Sequence, residues 1–396
     1  MLKNECVTKL INLEGVNFKE ADIQEDTIRF FVINPHNIGV CPKCAQVSST
    51  LVNVTPKCYK DVNLASRSCF IEVDLRRFEC QTCSITFTES LSFADPYRKY
   101  TNRFEEAVYE CCRETTATYT ARKFGISDKT VNDIYHSKVE KRQLQSAFQA
   151  VYEIGIDEIA MHKGHQDFVL IITDLTNKRV LDVLPDKKKA TLKSCVRNWD
   201  ANFKSNIASV AVDLWGPYRS VIEDLLPGAV VVADRFHVMQ NLNKALDTTR
   251  KKARRESDSP ETWKGAKYAV LKNPENLTSE QKIILEWVLK ESPNLKACYE
   301  LREDFRAIFN TSTCRTSAKY NMYRWMLRIM RSEQSEYYRF LKTLLNWGDN
   351  ILNYFIKGLS SGFVEGVNNK IKLIKRKAFG FQNFENFRTK IIDNFC

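Results

Sequence analysis

Two acids stand where short apolar runs stop. Asp213 follows SVAV at 209–212, and Asp234 follows AVVVA at 229–233. Between them Gly216-Pro217 breaks the chain, Tyr218, Val221, Ile222, Leu225 and Leu226 recur at helical spacing, and Pro227-Gly228 breaks it again. This is strand, helix, strand, the grammar of a mostly parallel sheet whose active edge lies at the strand C-termini. A third acid, Asp157 with Glu158 beside it, ends the apolar run at 151–156, and a fourth, Glu365, follows the turn Ser360-Ser361-Gly362 and opens a strongly basic helix. Each acid alone has a plainer use: an aspartate after a strand caps the next helix, and a glutamate in a first turn balances the helix dipole. Brought together, carboxylates repel unless cations neutralise them, and hard oxygens select Mg2+ or Mn2+. Two such ions about 4 Å apart activate an attacking oxygen and stabilise a leaving one in an in-line displacement at phosphorus. The chemistry these residues point to is phosphodiester cleavage and strand transfer.

The cysteines suggest a second metal chemistry. Cys41-Pro42-Lys43-Cys44 and Cys80-Gln81-Thr82-Cys83 are two CxxC knuckles, each able to give two thiolates to one tetrahedral Zn2+. An alternating segment at 69–78 lies between them, as in a zinc ribbon, although the spacer is longer than usual and contains Cys58 and Cys69, which are alternative ligands. Cys6, Cys111, Cys112, Cys195, Cys298, Cys314 and Cys396 have no such spacing and read as small buried hydrophobes. His162 and His165 form an HxxH whose Lys163-Gly164 centre reads as a solvated hairpin loop.

These groups need elements to hold them. Residues 1–35 suggest a helix and two small strands. From 104 to 139 the pattern is helical, with a turn at Gly125 and Ser127 as the next N-cap, a helix-turn-helix or a generic helical hairpin. In the first case Lys129, Thr130 and Asn132 face a major groove. Next come strands at 151–156, 168–173 and 179–184, a helix at 189–203, and the opening stretch. Three strands, helix, strand, helix, strand is the ribonuclease-H-like order, in which the first strand lies beside the fourth and Asp157 meets Asp213. Residues 235–359 are nearly all helical, broken at Pro260 and Pro274, with a Thr278/Gln281 capping box and with Trp325 and Trp347 in core stripes. Lys370, Lys372, Lys375, Arg376 and Lys377 follow Glu365 and suit a DNA backbone; Lys187 to Lys189 and the run at 250–255 are basic clusters of the kind that usually form solvated faces.

The whole chain is consistent with this. Its 396 residues, 43% hydrophobic and 27% charged, describe a globular protein of two or three domains, and a formal charge of +12 favours nucleic acid over a membrane surface as polyanionic partner. The N-terminal stretch lacks a signal-peptide core, and no apolar run reaches the roughly 18 residues of a membrane span. A cytoplasmic, nucleoid-associated protein with reduced thiols and no membrane partner is expected.

The motifs resemble those of the ISL-three family of bacterial insertion-sequence transposases, of the DDE type. The likeness runs along essentially the whole chain: CPKC with CQTC, ARKFGISDKTV, IGIDE, VAVDLWGPY, ADRFHV and the long GFVEGVNNKIKLIKRKAFGFQNFENFR. It implies an α+β multidomain protein with a zinc ribbon at 1–95, a helix-turn-helix at 96–149, a ribonuclease-H-like α/β catalytic domain at 150–238 and 359–396, and an all-helical insertion at 239–358. It further implies Asp157, Asp213 and Glu365 as a Mg2+-binding catalytic triad acting on the double-stranded ends of the element, with two ends suggesting a homodimer or larger. Asp234-Arg235-Phe236-His237 looks like the family's signature of an acid followed by a histidine, so Asp234 supports the site or exchanges roles with Asp213. His237 supports the site or contacts DNA, with a core histidine as the alternative.

Overall fold

Alternation between buried and exposed side chains marks the central strands of the N-terminal third of the protein. The computed structural model describes residues 7–8, 11–146, 149–161, 167–332, 334–357 and 362–395; His162, His165, Cys6, Cys396 and the turn at 360–361 lie outside them. The chain forms two compact units, Met1–Leu144 and Gln145–Cys396.

In the first unit β1 (Asn17–Ile23) and β2 (Thr27–Ile33) form an antiparallel pair, and β3 (Gly39–Val40) with β4 (Val47–Ser48) makes a small hairpin. Two 14-residue strands follow, β5 (Leu51–Leu64) and β6 (Arg67–Cys80), then β7 (Ile85–Thr88). Ala65 and Ser66, both at positive φ, join β5 to β6, as a two-residue hairpin turn requires. The sheet order is β1-β2-β6-β5, with β7 also on β6 and β2 parallel to β6. Ile28, Phe30 and Val32 point to one face and pack with Tyr59, Cys69, Ile71 and Val73. The long spacer between the CxxC pairs is therefore a sheet with its own core, which a bare zinc ribbon lacks.

Three helices complete this unit: α1 (Asn102–Glu114), α2 (Ala117–Phe124) and α3 (Asp128–Ser146). Thr101 and Thr116 cap the first two through their side chains, Gly125 ends α2 in the left-handed conformation, and Ser127 Oγ accepts from Thr130 N at 3.1 Å. Phe104, Val108, Cys112, Ala121, Val131 and Ile134 are buried, whereas Tyr119 is 54% exposed. Lys60 of β5 donates to the carbonyls of Phe124 and Gly125 at 2.7 and 2.9 Å, placing a cation at the C-terminus of α2. Asp61 beside it is fully buried and accepts from Thr101 Oγ1 at 2.6 Å and from the Arg103 guanidinium. Sheet and helices are joined by that pair, in which Asp61 is fully buried and the Arg103 side chain is 35% exposed.

The second unit opens with β8 (Glu153–Ala160), β9 (Phe168–Asp174) and β10 (Arg179–Leu184), an antiparallel meander. Two helices, α4 (Lys189–Arg197) and α5 (Ala201–Asn206), replace the single helix expected at 189–203, because Asp200 caps a new start. Then come β11 (Ser209–Val212), α6 (Gly216–Leu225) and β12 (Val230–Ala233), with sheet order β10-β9-β8-β11-β12 and β8, β11 and β12 parallel. The first strand of this unit lies beside the fourth.

Helices follow from α7 (Arg235–Glu256) through α8 (Ala266–Leu271), α9 (Ser279–Glu291), α10 (Pro293–Thr311), α11 (Arg315–Arg331), α12 (Tyr338–Leu352) and α13 (Tyr354–Lys357). Short 3-10 turns begin at Pro260 and Pro274, and the Thr278/Gln281 capping box is formed. Phe305, Trp325 and Phe340 meet edge to face, and Trp325 and Trp347 are buried. One continuous core runs from Ile154, Ile156 and Val212 of the sheet through Val238 and Leu242 to Phe305 and Trp347. Asn350 and Asn353 of the α12 end donate to the Val231 carbonyl at 3.3 and 2.9 Å, satisfying the edge of β12. The opposite face of the sheet is covered by α14 (Gly362–Lys377) and α15 (Phe384–Phe395) through Val367, Ile371, Ile374, Phe387 and Ile391.

Breaking a buried ion pair from one side leaves an uncompensated charge. Arg103→Ala is expected to destabilise the N-terminal unit by about 3 kcal/mol, and adding Asp61→Ala to recover part of that loss, measured by urea unfolding.

Candidate functional site

The register of the parallel strands aligns the acids. Ala211 pairs with Gly155 and Val212 with Ala233, so Asp157, Asp213 and Asp234 stand level on three adjacent strands. The sequence places Asp157 at a strand end; instead β8 continues to Ala160 because β9 keeps pairing with it, Asp157 opposite Ile171 and Ala160 opposite Phe168. What ends beside Asp157 is its other neighbour, β11.

The three aspartates have different surroundings. Asp157 Oδ2 accepts from Asn368 Nδ2 at 2.6 Å, Oδ1 accepts from the Glu158 N–H at 2.7 Å, and His237 Nε2 is 3.5 Å from Oδ1. Burial alone would raise its carboxyl, but these three donors hold it below the usual value. Asp234 is the N-cap of α7, accepting from Phe236 N at 2.9 Å, with His237 Nε2 at 3.8 Å from its other oxygen. Asp213 has no such duty: α6 starts at Gly216, and its cap position, Trp215, makes no side-chain cap bond. Asp213 Oδ1 is buried and without a hydrogen-bond partner, and burial, helped by Glu158 and Asp157 against the opposing His237, pushes the carboxyl up to about 6. The capping role thus falls to Asp234, and Asp213 holds an unanswered oxygen.

His237 lies between Asp157 and Asp234. Burial works against its charged form, yet the hydrogen bond and charge of Asp157, with Asp234 and Asp213, raise its pKa. Glu158 points to the other face of β8, where Tyr218 Oη donates to it at 2.7 Å and Lys187 Nζ lies at 3.1 Å; burial and then this carboxylate drive the Tyr218 phenol up. Lys187 is thereby an internal partner, as is Arg250, buried against Asp247.

Glu365 sits exposed in the first turn of α14. Asn368, one turn on, touches Asp157, and a Cβ on Gly155 would lie 3.2 Å from Val364 Cγ2 and 2.6 Å from Thr173 Oγ1, so glycine lets the helix cross β8 closely. Among the described residues, Asp157, Asp213 and Glu365 do not converge within 4.8 Å as the cysteines do. Sequence reasoning missed Asn368, although its spacing from Glu365 in GFVEGVNNK puts both on one helix face. The donors around Asp157 and Asp213 are mostly hard oxygens, including the unpartnered buried Oδ1 atoms of Asp213 and Asn368. They suit a divalent cation of the Mg2+ or Mn2+ type.

The basic helix divides. Lys375 donates to the carbonyls of Ala160 and Met161, and Lys370 to that of Asn394 while lying 4.6 Å from the Phe395 ring. Lys372, Arg376 and Lys377 are exposed. On α3, Lys129 is exposed and Asn132 half-buried, whereas the Thr130 hydroxyl is 2.9 Å from Ser127 Oγ within the cap.

The four CxxC thiols converge, all within 4.8 Å of one another, with Cys44 and Cys80 sulfurs 3.6 Å apart. That matches the roughly 3.8 Å edge of a tetrahedron with Zn–S bonds of about 2.3 Å. Both knuckles have the same turn: Ala45 and Ser84 are at positive φ and return their N–H groups to Cys41 and Cys80. The Cys83 N–H leads in drawing the Cys80 thiol down to about 7. Cys58 is exposed and Cys69 buried in the sheet core, its thiol pushed by burial to about 12; neither joins the cluster.

Among the described residues no helix is long and apolar enough to cross a membrane. The family described as Transposase matches residues 154–391. The Helix-turn-helix domain of transposase family ISL3 matches residues 89–137. The Transposase for insertion sequence element IS1001 of Bordetella parapertussis is 23% identical over 400 residues, spanning 99% of this chain and 98% of its own length. The Transposase for insertion sequence element IS1557 of Mycobacterium tuberculosis is 26% identical over 408 residues, spanning 95% and 90%. A Lactococcus lactis protein named ATP-dependent protease is 31% identical over 121 residues, 31% of this chain. With more than half of its length matched by the transposase family, and its N-terminal helices by the helix-turn-helix domain, the chain belongs to the ISL3 family of insertion-sequence transposases.

Proposed function

We propose that this protein binds the terminal inverted repeats of its own insertion sequence and catalyses metal-dependent strand cleavage and strand transfer, with Asp157, Asp213 and Glu365 as the carboxylate triad. The observation that carries this is the pair of level aspartates, Asp157 within β8 and Asp213 just past the end of β11, the second with a buried oxygen that lacks any donor. Two divalent ions held there would supply an activated oxygen nucleophile and charge stabilisation for the leaving oxygen. Asn368 and the Glu158 N–H orient Asp157; His237 stands between Asp157 and Asp234 as a proton-bearing support. The strand order supports a ribonuclease-H-like catalytic domain formed by 150–238 and 359–396, with 239–358 as its helical insertion. A Zn2+ ion at Cys41, Cys44, Cys80 and Cys83 stiffens a DNA-reading module at 1–95, and 96–149 presents Lys129 and Asn132 to a major groove. Lys372, Arg376 and Lys377 are the basic residues of α14 offered to the backbone. Acting on two ends, the protein works as a dimer or larger assembly.

Cleavage of supercoiled DNA carrying the element ends, with Mg2+ or Mn2+, tests the triad. Asp157→Ala, Asp213→Ala and Glu365→Ala should fall to background, whereas Asp234→Ala and His237→Ala should lose about ten- to a hundredfold. Background activity from Asp234→Ala with survival of Asp213→Ala would exchange the two aspartates. End binding by the native protein without cleavage under either metal would make it a DNA-binding regulator.

Asp213 also predicts a pH effect. Its folded pKa, about 6, lies above its ordinary value, so its contribution to stability is present below about pH 4 and lost as pH rises to about 6. Metal-free Asp213→Asn should therefore exceed the native protein in stability at pH 7.5, by on the order of 2 kcal/mol, and match it near pH 4. Mn2+ should raise the native Tm at pH 7.5 and leave the variant nearly unchanged.

One equivalent of zinc per chain is expected by elemental analysis. Cys80→Ser should lose it, while Cys58→Ser should keep it.

A further inference from the structure

Helix α11, Arg315–Arg331, has five basic residues and no acid in its 17 positions. Its inward arc is Ala318, Met322, Trp325 and Ile329, all buried. The opposite arc carries Lys319, Tyr320, Tyr323, Arg324 and Arg331, with the two tyrosines 63% and 59% exposed. Arg315 and Arg328 are paired with Asp349 and Asp304, but among the described residues Lys319, Arg324 and Arg331 form no ion pair. The Arg324 guanidinium lies 5.7 Å from the Tyr320 ring. A groove of about 660 Å³ between α10 and α11 continues the surface, lined by Thr311, Asn321, Arg324, Arg328 and Arg331, with Asp304 its acid.

A solvated helix face ordinarily mixes charges of both signs. Three unneutralised cations interleaved with exposed phenol rings form instead a surface for a polyanion: the cations meet phosphates, and the tyrosine hydroxyls donate to phosphate or sugar oxygens. From Lys319 to Arg331 the helix advances about 18 Å, the length of about five base pairs at 3.4 Å each. A membrane would require a continuous outward apolar arc, and apart from the exposed Met330 the aliphatic residues of α11 are buried or half-buried.

We propose that the outward face of α11 is a second DNA-docking surface, separate from the helix-turn-helix, which grips duplex backbone without reading sequence. It rests on the transposase reading above and adds a partner surface to the helical region.

The test uses the full-length protein and a duplex carrying an element end, with binding measured across a salt series. Each lost phosphate contact lowers the slope of log affinity against log salt by about 0.9. The triple variant Lys319→Ala/Arg324→Ala/Arg331→Ala should therefore bind with a slope smaller by about 2 to 3, and the charge-keeping pair Arg324→Lys/Arg331→Lys should retain the native slope. An unchanged slope in the triple variant overturns the proposal, and so does a lowered slope in the charge-keeping pair. A triple variant that alters self-association of the DNA-free protein while keeping the slope makes the face a protein interface and overturns it too. Should the native protein bind no duplex at all, the transposase reading fails with it; native binding with an unaltered triple variant removes this surface alone.

Discussion

Asp157 and Asp213 stand on adjacent parallel strands, both largely out of water, and two carboxylates so placed repel each other unless something answers their charge. Much of the second unit can be understood as a set of answers. Asp157 receives a side-chain amide from α14, a backbone N–H and an imidazole; Asp234 is consumed by the start of α7. Asp213 receives little and keeps an ordinary carboxyl proton to a higher pH for that reason. The asymmetry turns a row of similar residues into one with separate tasks. A cation drawn to this row would replace the proton on Asp213, so ion binding and ionisation of that side chain are coupled.

Geometry supports the electrostatics. The close crossing of α14 over β8 depends on a residue without a side chain at Gly155, and the hydrophobic seam of Val367, Ile371 and Ile374 fixes the helix on the sheet. That seam puts Asn368 on Asp157 and leaves Glu365 one turn away, facing solvent.

Much of this was legible in the sequence because local signals and the fold agree there. The strands at 209–212 and 179–184, the glycine turn and serine cap between α2 and α3, and the Thr278 capping box depend on neighbours in sequence. The CxxC pairs were legible for the same reason, each knuckle being a self-contained turn. What was hidden depends on partners far along the chain. The extension of β8 past Asp157 is set by β9; the hairpin of two fourteen-residue strands between the knuckles gains a parallel neighbour on β6 from the earlier β2; and the inward turn of Lys375 and Arg250 follows from carbonyls and an aspartate that charge counting does not see. Asp213 and Asp234 looked alike until the helix starts after each were known.

The Val231 carbonyl, bound by two asparagines from the far end of α12, shows how the helical region is joined to the sheet. With a shared core beneath it, that joint makes sheet and helices a single cooperative folding element. The amides of β12 and α12 would then exchange with solvent together, through global opening and not local fraying. A shortened chain lacking the helices would expose both an open strand edge and half of a hydrophobic core, so the helical region cannot be shed as an accessory while the acidic row is kept.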